Sequence, residues 1–126
     1  MKKLLPPIAI LLALFAFSAW NGAAMERAAS RWQEQLSRSA GLGRQEQWDS
    51  AAAVLEESYQ DWTRHQSYLH IVSEHDVVDG AEAMYRRAMA FVEAREPSEF
   101  QAEMADLGAR LSLLAEMERL SIKNIL

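Results

Sequence analysis

From Leu4 to Trp20 the chain carries no charged residue, and nearly every position is apolar. Lys2 and Lys3 stand directly in front of this run. A helix rises about 1.5 Å per residue, so roughly 17 to 20 such positions are needed to cross the hydrocarbon of a bilayer. The run reaches the lower end of that range. It is apolar on every face, unlike the helix of a soluble core.

Behind Trp20 the pattern changes to amphipathic periods of three and four. Between Ala23 and Ala40, Met25, Ala29, Trp32 and Leu36 form a thin apolar stripe. Gly41-Leu42-Gly43 then predicts a break. From about Gln45 to Ile71, Trp48, Ala52, Leu55, Tyr59, Trp62, Gln66 and Leu69 alternate steps of four and three, with Ala51, Val54 and Ser58 widening the seam. Its aromatic residues are expected to pack against neighbouring helices rather than to cage a ligand. The next helix is expected to start at Ser73. Asp76 three residues on suggests a capping box, and Val72 with Val77 a hydrophobic staple. Its apolar face is Val77, Val78, Ala81, Met84, Tyr85, Ala88, Phe91 and Val92. Glu96-Pro97-Ser98 ends it, and Ser98 with Gln101 predicts a second capping box. Phe100, Met104, Leu107, Leu111 and Leu114 form the last seam, with Leu113, Met117 and Leu120 broadening it.

No strand-like alternation of useful length is present, so the class is all-α. The expected architecture is an N-terminal transmembrane or signal helix followed by an antiparallel three-helix bundle, since short connections favour antiparallel neighbours. Residues 1–22 form the anchor or signal segment, 23–43 a helical stalk with a glycine-containing linker, and 44–126 the bundle domain.

The two lysines place the N-terminus in the cytoplasm by the positive-inside bias, and Trp20 suits the membrane interface. The chain after the anchor is then extracytoplasmic. A cleaved signal peptide shares the charged start and apolar middle, and Ala16-Phe17-Ser18 and Gly22-Ala23-Ala24 offer small residues for a peptidase. That alternative gives a secreted soluble factor. The uncleaved anchor is the stronger reading, because the run is long for a signal sequence and ends in tryptophan.

With Lys2 and Lys3 assigned to the anchor, eleven basic residues face eighteen acidic ones. This balance argues against nucleic acid and against docking on anionic headgroups. The absence of cysteine removes disulfides, thiolate metal sites, cysteine nucleophiles and a lipoprotein-type lipid anchor.

His65, His70 and His75 are five apart, which turns a helix by about 140° per step, so the three do not share a face. His70, Glu74, His75 and Asp76 are the only metal-ligand candidates, and capping with a solvated turn is the stronger account of them. No nucleophile motif and no phosphate-cradling glycine loop is present, so catalysis and a cofactor are not expected. The apolar tail offers Ile122, Asn124, Ile125 and Leu126 either to cover the end of the bundle or to dock on a partner.

Trp62, the stretch Glu74-His75-Asp76-Val77-Val78-Asp79 and the ending Glu116-Met117-Glu118-Arg119-Leu120-Ser121-Ile122-Lys123-Asn124-Ile125-Leu126 resemble a bacterial family, domain of unknown function 4363. The resemblance covers nearly the whole chain. Ile122 departs from the family's usual leucine, and His75-Asp76 from its His-x-Glu spacing. The resemblance implies a small membrane-associated helical protein without an established activity. It also implies a partner among integral membrane proteins of the YetF type.

Together these features suggest a non-enzymatic accessory protein that binds a membrane protein or a second copy of itself. The alternative is a cation sensor built on His70 to Asp79.

Overall fold

The computed structural model describes residues 4–72 and 75–125, with side chains except at positions 18, 21, 66–72, 75, 118 and 121–125. The described residues form four α-helices: α1 (Leu5–Arg44), α2 (Trp48–Val72), α3 (His75–Glu93) and α4 (Pro97–Ile125). No strand occurs among them. Each helix packs against its chain neighbour, and α1 also packs against α4.

Helix α1 holds 40 residues, about 60 Å at 1.5 Å each. Pro6 and Pro7 sit in its first turn, where amide hydrogens have no partner within the helix, so their missing donors cost no bond. The first half is long and apolar enough to cross a membrane. Among the described residues, every exposed large hydrophobic except Leu113 and Leu120 lies between Leu4 and Trp20. The second half is core: Met25, Ala28, Trp32, Leu36 and Ala40 are all buried. The segment read from sequence as a stalk and linker is therefore the fourth wall of the helical bundle.

The expected break at Gly41-Leu42-Gly43 is not there. Both glycines remain helical, and α1 runs on to Arg44. The absent side chain at Gly43 admits a neighbour instead. A β-carbon there would come within 2.6 Å of the Phe100 ring. The turn falls at Glu46, which takes φ 61° without being glycine. The Gln47 amide donates to the Leu42 carbonyl (2.9 Å) and the Glu46 amide to that of Gly43 (3.0 Å). The same pattern closes α3, where Glu96 donates to Phe91 and Arg95, at φ 56°, to Val92. Both are Schellman closures with a side-chain-bearing residue in the left-handed position that favours glycine. Left-handed backbone costs an L-residue about 1–2 kcal/mol, partly offset by the greater freedom of an unfolded glycine. Arg95→Gly is accordingly expected to stabilise the protein by about 0.5–1 kcal/mol, read as a higher midpoint in thermal unfolding.

The Ser98–Gln101 box does not form as drawn from sequence. Helix α4 begins at Pro97, and the Glu96 carbonyl accepts the first helical bond from Phe100. Gln101 is used across helices instead, donating to the Ala40 carbonyl (2.9 Å) and accepting from Arg44 (3.0 Å). Ser73, which was to cap α3, lies outside the described residues, as does the side chain of Val72. The core seams of α3 and α4 fall where their periodicity put them: Val78, Ala81, Tyr85, Ala88 and Val92 on one, Phe100, Met104, Leu107, Leu111 and Leu114 on the other. Leu113 and Leu120 do not broaden the α4 seam. Both are about half exposed, because each sits roughly 100° around the helix from a seam position.

Candidate functional site

From Glu26 to Gln33, seven positions along α1 match the seven positions backward along α4 from Arg119 to Ser112. Glu26 pairs with Arg119 (3.2 Å), Gln33 with both Ser112 (2.9 Å) and the Gly108 carbonyl (2.8 Å), and Ala40 with Gln101. The two helices thus run in opposite directions, with Gln33 reaching two successive turns of α4. Between them lies a shallow trough lined by small residues, including Ser37, Ala105, Gly108, Ala109 and Ser112. Gln33 spans it, which ties the helices together where small side chains cannot.

The most elaborate polar cluster joins α1 to α2. Asp61 is buried, and its carboxylate accepts from Arg31 Nε (2.6 Å), Arg31 Nη2 (2.9 Å) and the Trp32 indole (2.9 Å). Burial by itself would raise the Asp61 carboxyl. The two Arg31 hydrogen bonds, the arginine charge and the indole bond outweigh it and hold the group below the usual carboxylate range. The Arg31 guanidinium is raised in turn, chiefly by its bond to Asp61. His65 Nδ1 lies 2.9 Å from the Asp61 carbonyl, and its ring meets Trp32 edge-on at 5.5 Å.

Next to this clamp sits an aromatic core. Trp62 packs against Tyr85 (5.4 Å) and Tyr59 (6.4 Å), and the Tyr85 hydroxyl shares a 2.8 Å hydrogen bond with Ser58. Burial pushes the Tyr85 phenol far above its ordinary range. Tyr59 donates to Glu82 at 2.6 Å, a bond that raises its phenol as well. Trp62 Nε1 is buried without a hydrogen-bond partner among the described residues.

These groups are suited to holding helices together. The Asp61 carboxylate is engaged by fixed donors, and the tyrosines are held protonated. Such groups are poorly placed to move protons to a substrate. Of the sequence-nominated residues, Asp76 is exposed in the first turn of α3, where its charge suits the helix N-terminus. The side chains of His70 and His75, and Glu74 altogether, lie outside the described residues. So do the side chains of Ile122, Asn124 and Ile125, and Leu126 altogether. Among the described residues no three side chains of metal-binding type converge.

Sequence reasoning missed the Asp61 clamp, although a signal was present. Asp61 follows Ser58 by three and precedes His65 by four, which puts a carboxylate on the edge of the buried seam. A charge in that position calls for a partner from another helix.

Residues 19–125 match the family model described as Domain of unknown function (DUF4363), the family to which the tail and the Glu74–Asp79 stretch had pointed. Comparisons with curated proteins and with solved structures return no match.

Proposed function

The chain belongs to the domain-of-unknown-function family DUF4363, and from that premise we propose that it is a membrane-anchored accessory protein. It holds an acidic antiparallel helical bundle on the outer side of the cytoplasmic membrane and acts by binding a membrane protein, not by catalysis. The observation that carries this reading is the division of α1. One unbroken helix exposes apolar side chains from Leu5 to Trp20 and buries them from Met25 to Ala40. A bare helix with that much exposed apolar surface is unstable in water and at home in lipid. Because the two halves are continuous, the bundle is held at a set distance from the bilayer rather than on a flexible leash. Lys2 and Lys3 favour the orientation with the bundle outside.

Two measurements test it. A reporter active only outside the cytoplasm, fused after Leu126, is expected to be active, and activity confined to the cytosol would reverse the orientation. Cross-linking in cells followed by detergent extraction is expected to recover an integral membrane protein with the chain. Recovery of the chain alone at every cross-linker length would remove the accessory role.

A further inference from the structure

The register between α1 and α4 places the end of α4 relative to the anchor. Arg119 is level with Glu26 and Ser112 with Gln33. Six more residues take α4 from Arg119 to Ile125, and six in the opposite direction take α1 from Glu26 to Trp20. At 1.5 Å per residue both steps are about 9 Å. The last turn of α4 therefore stands beside Trp20, the exposed tryptophan that closes the apolar run.

Helix α2 returns to a similar level: Arg31 pairs with Asp61, and eleven residues on along α2 to Val72 match eleven back along α1 to Trp20. The two turns between helices at Gln45–Gln47 and Ala94–Glu96 lie at the opposite end.

We propose that the final turn of α4 is seated in the headgroup layer of the membrane that holds α1, so that lipid, not a second protein, occupies its apolar face. The inference rests on α1 being a membrane anchor. The headgroup layer is about 5–8 Å thick on each side of the hydrocarbon, and a tryptophan at the end of an apolar run marks it. A helix end level with Trp20 and only a helix diameter away lies within that layer. The sequence there, Ser-Ile-Lys-Asn-Ile-Leu, combines apolar residues with one lysine and no acidic residue. An aliphatic lysine stem can lie along apolar surface while its ammonium reaches the phosphates. The bundle thus has a second contact with the bilayer, which fixes its rotation about the anchor.

The chain has no cysteine, so single cysteines can be labelled without background. Full-length protein carrying Ile125→Cys, Leu120→Cys, Leu113→Cys or Leu12→Cys is spin-labelled in phosphatidylcholine vesicles. Each position is then read for collision with lipid-soluble oxygen against a water-soluble nickel chelate. Leu113 and Leu120 are both exposed leucines of α4, two turns apart, so they differ in depth more than in burial. The oxygen preference is expected to be highest at Leu12 and several-fold higher at Ile125 than at Leu113, with Leu120 between them. An Ile125 signal equal to that of Leu113, with Leu12 in lipid, overturns the seating of α4 alone. An aqueous signal at Leu12 overturns the anchor itself.

Discussion

Trp62→Ala is expected to destabilise the bundle by about 3–5 kcal/mol, a large share of the 5–15 kcal/mol typical of a domain. Trp62 is fully buried and stacks on Tyr59 and Tyr85, so its removal leaves a cavity between α2 and α3 that those rings cannot fill without breaking their bonds to Glu82 and Ser58. Chemical unfolding of the full-length protein in detergent, followed by far-ultraviolet circular dichroism, measures the loss. The phenylalanine variants separate volume from chemistry. Trp62 Nε1 has no partner among the described residues, so Trp62→Phe discards a donor unsatisfied by them and is expected to cost less than about 1.5 kcal/mol. Trp32 is equally buried, but its indole bonds Asp61 at 2.9 Å. Trp32→Phe leaves a buried carboxylate short of a donor and is expected to cost about 1–3 kcal/mol more than Trp62→Phe. Equal costs for the two phenylalanine variants would show that the Asp61 bond contributes nothing.

The second large effect is at Asp61. Asp61→Asn keeps the shape but removes the charge that Arg31 and Trp32 surround, at an expected cost of about 2–3 kcal/mol. The figure stays below that of a fully buried ion pair because the Arg31 side chain is 46% exposed and remains solvated when the partner is lost. The pH dependence has a defined sign. The Asp61 carboxyl is held below its ordinary value in the folded state, so the unfolded chain takes up the proton first as pH falls. The contribution is present in full above the unfolded value of about 3.9 and fades as pH drops through the lower folded value. The stability difference between the wild type and Asp61→Asn should therefore be flat around neutral pH and shrink in acid. A difference that grows in acid would contradict the clamp.

These two sites show how unevenly the molecule could be read from its residues. Trp62 stood out at once, because a tryptophan within a four-and-three apolar seam announces a core position. Asp61, its neighbour in the chain, did not, since its meaning lies in Arg31 and Trp32, about thirty residues away. Gly43 was misread for a related reason. Two glycines close together weaken a helix locally, but here Gly43 makes room for Phe100 from another helix. Glu46 and Arg95 end their helices through backbone bonds to Leu42, Gly43, Phe91 and Val92, and no turn-forming residue marks either place in advance. The metal candidates and the tail were legible as chemistry in the sequence; of them the described side chains include Asp76 alone, exposed in the first turn of α3.

The residue pattern by itself determined the all-α class, the uncharged run from Leu4 to Trp20 and the buried seams of the last two helices. Each is encoded within a few turns of one helix, where period and composition suffice. Only tertiary structure decided that residues 25 to 40 belong to the core, that one helix joins membrane-type and core surfaces, and that α4 returns to the level of Trp20. Those facts depend on pairings between residues as far apart as Glu26 and Arg119. Such pairings are selected by the packing of whole helix faces against one another, which no local window of sequence contains.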